Sequence, residues 1–212
     1  MAEKKLEGAG LRGQVAGKTS LSTVGKAGKG LTYRGYEIEV LAEKAFFEEV
    51  AYMLLYGNLP NQEEYSAYSD KLKKLRSLPN KLKEVLENIP ASAHPMDVMR
   101  TGCSMLGNLE PEGDFENQNT SADRILASMA SIIVYWYKFS HDGIKVNLET
   151  DYETIGGHFL SLLTDKEPSE DDIRCLDTSL ILYAEHGFNA STFTARTCAS
   201  TLSDIHSCIT GA

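Results

Sequence analysis

Apolar residues recur at helical spacing along most of the chain from Glu37 onward. The segment FFEEVAYMLLYG shows the pattern most clearly, because its apolar residues fall three and four positions apart, at Phe46, Val50, Met53 and Leu54. The segment ends at Gly57, a residue type that suits the left-handed position closing a helix. Because comparable patterns continue to the end of the sequence, we predict an all-α fold.

One strand signal precedes the helical part. Residues 20–24 and 31–34 have the composition of two short strands, and glycines at 25, 28 and 30 lie in or beside the turn between them. Glycine tolerates positive φ, so this pattern predicts a short N-terminal β-hairpin. The glycine spacing also resembles a phosphate-binding loop. However, Gly30 follows Lys29 where a Walker A motif requires Ser or Thr, which argues against a nucleotide site.

Helix starts are marked by capping patterns or by a first-turn proline. The predicted starts are Asn61 with Glu64, Pro95, Thr120 with Asp123, and Ser169 with Asp172. Between the second and third of these, residues 107–121 are polar and contain Gly and Pro, so we predict a long loop there.

The last two predicted helices flank the segment LYAEHGFNASTF at 182–193. The first of them is apolar on every face over residues 180–184, which is typical of a helix buried all round, so we predict that His186 lies at a buried end. Asn189 is placed to cap the second helix, which we predict to run unbroken over 190–210. Its many small residues would let neighbouring helix backbones approach closely.

Composition and charge narrow the function classes. The formal net charge of −9 argues against a nucleic-acid or anionic-membrane binder, since both depend on clustered Lys and Arg. The most apolar stretch, at 131–139, is much shorter than the roughly 20 residues that span a bilayer. The four cysteines form no CxxC pair and no secretory signal is recognisable. We therefore expect a soluble cytoplasmic protein with reduced thiols.

Five histidines are candidates for chemistry: His94, His141, His158, His186 and His206. No HxxxH, HExxH or Cys/His zinc spacing connects them, so we expect no metal site. We interpret His158 and His206 as packed helical residues, His141 as an exposed loop residue and His94 as a residue at a helix entrance.

The sequence around His186 allows two interpretations. A histidine in a last helical turn can interact with the free carbonyls and the helix dipole, with Gly187 ending the helix. Alternatively, an imidazole at a buried end needs a polar partner, and the local sequence offers only Glu185, Asn189 or backbone. A polar ligand would meet that need, and local sequence alone does not decide between the two.

Several segments of the sequence resemble segments of the citrate synthase family and occur in the same order. YAEHGFNASTFTAR at 183–196 is similar to the family's oxaloacetate-site segment. LSTVGKAGKGLTYRGYEI, FEEVAYMLLYGNLP and HPMDVMRTG are similar to its N-terminal sequence in the same order. The resemblance runs from about Gly13 to Ala212. HPMDVMRTG, YWYKFSH and IGGHFLSLL are closer to the branch of the family that uses propionyl-CoA and makes 2-methylcitrate.

The resemblance implies a nearly all-helical homodimer in which a large and a small domain close over the substrates. Residues 13–212 would form the N-terminal part of the large domain, after a disordered or extended tail at 1–12. Oxaloacetate and an acyl-CoA are the implied substrates, and no cofactor is implied. By resemblance His186 hydrogen-bonds oxaloacetate, and Phe188 and Asn189 support its pocket.

The resemblance also shows what these residues lack. The family's GPLHGG and GxGHxxY motifs, its catalytic aspartate, its substrate-clamping arginines and its CoA loop all lie beyond the matching region. We therefore expect an N-terminal portion of a longer synthase, with no catalytic residue of its own and no turnover alone. Relatives commonly have Arg where this chain has Gln62, which puts a substrate contact from that position in question. Two alternatives remain, a citrate synthase of the tricarboxylic acid cycle and a non-catalytic helical dimerisation module.

Overall fold

The computed structural model describes residues 17–25 and 30–212 and is mostly helical, which confirms the predicted fold class. Its elements are β1 Ser22–Thr23, β2 Thr32–Tyr33, β3 Tyr36–Glu37, α1 Ile38–Lys44, α2 Phe47–Tyr56, α3 Gln62–Lys74, α4 Asn80–Glu87, α5 Pro95–Leu109, a 3-10 turn Phe115–Asn117, α6 Gln118–Asp142, α7 Ile155–Thr164, α8 Glu170–Tyr183, α9 Ala190–Ala199 and α10 Ile205–Gly211. The predicted tail at 1–12 and the turn residues 26–29 lie outside the described residues.

The predicted hairpin is present and carries a third strand. The strands form an antiparallel sheet in the order β1-β2-β3, with Tyr33 opposite Ser22 on one side and opposite Tyr36 on the other. Arg34 and Gly35 connect β2 to β3 with φ values of 46° and 94°. Two consecutive positive φ values are typical of a tight hairpin turn. The glycine at position 35 was therefore a local signal for a third strand, which the two-strand prediction missed.

Several predicted helix ends are confirmed. Asn61 Oδ1 accepts hydrogen bonds from the backbone N–H groups of Glu63 and Glu64, both at 3.0 Å, and the Glu64 carboxylate accepts from Asn61 N at 2.8 Å. Ser169 caps α8, Pro95 is the first residue of α5, and Gly57 ends α2 with a φ of 113°. Reciprocal caps of this kind satisfy backbone donors that a helix start otherwise leaves free.

The predicted start of α6 and the loop before it were wrong. Helix α5 extends to Leu109 and α6 begins at Gln118 after a 3-10 turn, so most of 107–121 is helical. Asp123 does not cap a helix but lies inside α6, with its side chain fully buried. It accepts hydrogen bonds from Tyr56 and Tyr68, and its capping pattern with Thr120 was therefore coincidental.

The helix predicted over 190–210 is two helices. Helix α9 ends at Ala199, Leu202 adopts a φ of 63°, and α10 starts after Asp204. The Asp204 carboxylate accepts a hydrogen bond from Ser207 N at 3.0 Å, which makes it the N-cap of α10. The break follows because a competing cap inside a small-residue segment stops a helix that has few large apolar contacts.

The core is organised around α6. One cluster of buried side chains, including Leu82, Leu106, Ile132 and Trp136, joins α6 to α4, α5 and α7. A second cluster joins β2, α1, α2 and α8 around Tyr33 and Ile181. No helix in the described part of the chain has both the length and the apolar content needed to cross a membrane.

The four histidines outside the 182–193 segment lie in or at the ends of helices. His158 is fully buried, and its two ring nitrogens lie 2.9 Å from Ser131 Oγ and 2.9 Å from Thr150 Oγ1. His206 is also buried in a helix, so both predictions are confirmed. His94 Nδ1 accepts a hydrogen bond from Met96 N at the entrance to α5, as expected. His141 is exposed but sits in the last turn of α6, so its assignment to a loop was wrong.

Candidate functional site

The turn between α8 and α9 holds the candidate residues. Helix α8 ends at Tyr183, and Gly187 takes a φ of 95°, the left-handed conformation that reverses the chain. Asn189 then caps α9, since its Oδ1 accepts a hydrogen bond from Thr192 N at 2.7 Å. The predicted cap is confirmed, and it fixes residues 184–189 as a compact connection between two helices.

His186 is exposed, so the predicted burial was wrong. The helix before it is not buried all round, because in its last turn Ile181 is buried and Leu180 is partly buried, whereas the next two residues face solvent. Leu182 is 48% exposed and Tyr183 is 84% exposed. Apolar composition on every face therefore overstated burial at this end of α8. Because the imidazole is exposed, its ring nitrogens need no buried hydrogen-bond partner, and a ligand can reach them from solvent.

Asn189 is the hydrogen-bonding neighbour of His186. Its amide Nδ2 lies 3.4 Å from His186 Nε2, which leaves a weak contact that a ligand can replace. Phe188 is half-buried, and the Arg196 guanidinium lies 4.9 Å from the centre of its ring. The structure thus brings three predicted residues together and adds Arg196, a cation stacked on an aromatic face.

Gln62 stands apart from this group. It is the exposed first residue of α3. Among the hydrogen bonds of the described residues, none joins Gln62 to the 184–196 segment. A role for Gln62 in the site therefore has no direct contact in its favour.

Polar contacts with the N-terminal sheet fix the backbone of the turn. Glu185 Oε1 accepts a hydrogen bond from Ser22 Oγ at 3.1 Å and another from Gly187 N. The Tyr33 hydroxyl donates to the Ile181 carbonyl at 2.9 Å and accepts from Glu185 N at 3.1 Å. Burial raises the pKa of Tyr33, so its hydroxyl stays protonated. Residues of the N-terminal sheet therefore contact the backbone on both sides of the end of α8.

An apolar cleft of about 540 Å³ adjoins the same turn. Leu54 of α2, Met129 of α6 and Ile209 of α10 are among its lining residues, and Glu185 is the single ionisable side chain that lines it within the described part of the chain. His186 does not line the cleft. Glu185 therefore contacts both the apolar cleft and the turn that carries His186.

The local electrostatics suit an anionic group. His186 lies just before α9, a helix of 10 residues whose N-terminus carries partial positive charge from free N–H groups. Arg196 adds a full positive charge on the same helix. An exposed imidazole and an amide beside a helix N-terminus can donate hydrogen bonds to a carboxylate or a polarised carbonyl oxygen.

Sequence reasoning missed Tyr33, Ser22 and Arg196. No local pattern marks Ser22 or Tyr33, because their partners lie 163 and 152 residues further along the chain. A weak signal for Arg196 existed, because an Arg within the first two turns of a helix can stack on an aromatic residue that precedes the helix.

No group of three or more His, Cys, Asp or Glu side chains within residues 17–25 and 30–212 is arranged to hold a metal ion.

Comparison with known proteins places these features in one family. The sequence model for the citrate synthase C-terminal domain matches residues 10–212. The 2-methylcitrate synthase of Shewanella oneidensis is 66% identical over 209 residues, which cover 99% of this chain and 56% of that protein. The chain thus spans about half the length of the curated relatives it matches.

Solved structures agree with the sequence matches. The citrate synthase of Pyrobaculum aerophilum superposes with a TM-score of 0.86 at 32% identity, over 95% of this chain and 53% of that one. The citrate synthase of Thermoplasma acidophilum, solved in a ternary complex with carboxymethyl coenzyme A and oxaloacetate, superposes with a TM-score of 0.85 at 25% identity, again over 95% of this chain and 53% of that one. The family model, the sequence identity and the shared helical architecture together establish that the chain belongs to the citrate synthase family.

Proposed function

We propose that the chain forms the oxaloacetate-binding part of a 2-methylcitrate synthase. That enzyme joins the α-carbon of propionyl-CoA to the keto carbon of oxaloacetate, and water then cleaves the thioester to release 2-methylcitrate and CoA. The observation that carries the proposal is the 66% identity to a 2-methylcitrate synthase over 99% of the chain. The exposed His186 and Asn189 in front of α9 supply a site whose chemistry fits a keto-acid dianion.

His186 is proposed to bind oxaloacetate, with Asn189 and Phe188 supporting the pocket. In the condensation, negative charge develops on the former keto oxygen as the new carbon–carbon bond forms. A fixed hydrogen-bond donor aimed at that oxygen lowers the barrier, because its dipole is already oriented when the charge appears. The positive N-terminus of α9 favours the same anion.

We propose that other parts of the reaction depend on groups outside these 212 residues. Proton abstraction from the acyl-CoA calls for a positioned carboxylate base, and the substrate dianion calls for cationic clamps. The family motifs expected to carry them do not occur in this sequence. We therefore propose that the chain alone has no turnover, and that the complete synthase is a homodimer, as the resemblance implies.

A fusion protein tests this proposal. In it, the chain replaces the matched region of the Shewanella oneidensis enzyme and is joined to the rest of that protein. We expect the fusion to release CoA thiol from propionyl-CoA and oxaloacetate, with a higher kcat/KM for propionyl-CoA than for acetyl-CoA. The 212-residue chain, assayed alone as the matched control, should release none.

The other outcomes identify the alternatives. Preference of the fusion for acetyl-CoA would instead support a citrate synthase. A well-folded fusion without activity on either thioester would support a non-catalytic helical module. Turnover by the 212-residue chain itself would contradict the proposed division of the active site.

A further inference from the structure

The position of His186 depends on its backbone more than on its own side-chain contacts. The imidazole is exposed, and its hydrogen-bond neighbour within the described residues is Asn189 at 3.4 Å. A bond that long restrains the ring weakly. The groups that fix the backbone at residues 185–187 therefore determine where the imidazole points.

Those groups come from the distant N-terminal sheet. Ser22 Oγ and Gly187 N both donate to Glu185 Oε1, so one carboxylate oxygen links β1 to the far side of the turn. The Tyr33 hydroxyl joins Ile181 O to Glu185 N, so β2 holds the near side. We call Ser22, Tyr33 and Glu185 the brace.

The brace is anchored in the hydrophobic core through Tyr33. Tyr33 has no exposed surface, and it belongs to the second core cluster together with Leu41, Val50, Met53 and Ile181. An ordinary helix end can leave its free groups to water. At this end, however, Ser22 and Tyr33 of the sheet bond groups of Ile181 and Glu185 before His186, and the Glu185 carboxylate in turn accepts from Gly187 N after it. A contact of this kind restricts the turn to one geometry, which a site needs if its donor is to meet a ligand without reorganisation.

We propose that Ser22, Tyr33 and Glu185 are positioning residues for oxaloacetate binding by His186. The inference rests on the proposed function. On this account the small sheet serves the site by holding the α8–α9 turn, and Glu185 acts as a hydrogen-bond acceptor and not through its charge.

Four variants separate positioning from other roles. Glu185→Ala removes the acceptor of two hydrogen bonds. Glu185→Gln retains a carbonyl oxygen in the same place, so it should behave much like the natural sequence. Tyr33→Phe removes only the hydroxyl and leaves the buried ring. Tyr183→Phe, at an 84% exposed position of α8, is the matched control.

Two measurements are needed. In the 212-residue chain, amide hydrogen exchange at Gly187 and Glu185 reports the turn without any ligand. We expect exchange to become roughly tenfold faster in Glu185→Ala and Tyr33→Phe, and to stay unchanged in Tyr183→Phe, since one hydrogen bond is worth on the order of tenfold in an opening equilibrium. In the fusion protein, the same two variants should raise KM for oxaloacetate roughly tenfold while kcat changes much less, with rescue by Glu185→Gln.

The outcomes distinguish this inference from the proposed function. Unchanged amide exchange in both Glu185→Ala and Tyr33→Phe would overturn the brace, whatever the enzyme assay shows. Equal loss in Glu185→Ala and Glu185→Gln would overturn it too, because the charge would then be what matters. Faster exchange with unchanged KM would overturn the positioning role. If His186→Ala also left oxaloacetate binding unchanged, the proposed role of His186 would be what failed.

Discussion

Replacing Asp123 with alanine is expected to lower the free energy of unfolding by about 1 to 3 kcal/mol, the cost of leaving a buried hydrogen-bond donor without its partner. The carboxylate is completely buried inside α6. It accepts hydrogen bonds from the Tyr56 hydroxyl at 2.5 Å, the Tyr68 hydroxyl at 2.9 Å and the Lys71 ammonium at 2.5 Å. Without it, the buried Tyr68 hydroxyl of α3 loses its partner in the interior, and the Tyr56 hydroxyl of α2 loses its partner at a partly exposed site.

The three donors to Asp123 contribute unequally to the free energy of unfolding. The Lys71 side chain is 42% exposed, so solvent weakens its attraction to Asp123, and most of the loss should come from the tyrosines. Urea unfolding of the 212-residue chain measures the effect. Asp70→Ala, at an exposed position one residue before Lys71 in α3, is the matched control and should change stability by less than about 0.5 kcal/mol. Equal losses in the two variants would contradict the account.

Two buried titratable groups should give the chain opposing pH dependences. Burial raises the pKa of Glu48 from 4.5 to about 7, although the Ile155 N–H donates to its Oε1 at 2.6 Å. The folded state therefore binds the Glu48 proton more tightly than the unfolded state does. The resulting stability is fully present below about pH 4.5 and is lost as the pH rises through 7.

His158 acts in the opposite direction. Burial lowers its pKa from 6.5 to about 4, with a smaller contribution from the positive charge of Arg76. The folded state keeps the ring neutral between Ser131 and Thr150, whereas the unfolded state protonates it more readily. Its contribution is fully present above pH 6.5 and is lost as the pH falls through 4.

Single variants should uncover these two contributions. Between about pH 8 and about pH 5, each group changes stability by about 2 kcal/mol, in opposite directions, so their effects nearly cancel in the natural sequence. We expect Glu48→Gln to lose stability on acidification and His158→Gln to gain it. Urea unfolding at both pH values measures this, with His141→Gln at the exposed end of α6 as the control. Parallel profiles for the two variants would contradict the assigned signs.

Local sequence signals predicted well those features whose partners are also local. The caps at Asn61 and Asn189 and the helix stop at Gly57 each involve groups within a few residues, and all three are confirmed. The same reasoning failed at Asp123, where a capping pattern was present but two tyrosines from other helices offered the carboxylate better partners. Tertiary contacts decide between competing local options, and one sequence does not display them.

The candidate site shows the same division. The resemblance to a family assigned a binding role to His186, which stays a prediction, whereas local chemistry predicted the cap at Asn189, which is confirmed. The exposure of His186 was predicted wrongly, because the apolar run before it turns Leu182 and Tyr183 towards solvent. The contacts of Glu185 with Ser22 and Tyr33 depend on how the sheet folds against α8, which spacing along the chain does not encode.

Titration of oxaloacetate into the fusion protein, with His186 and with His186→Ala, tests the central claim most directly. We predict that the dissociation constant rises roughly tenfold to a hundredfold, because the variant loses one hydrogen bond to a charged ligand. The free energy of unfolding should change by less than about 0.5 kcal/mol, since the imidazole is exposed. An unchanged dissociation constant together with a loss of stability would contradict the claim and identify His186 as a helix-capping residue.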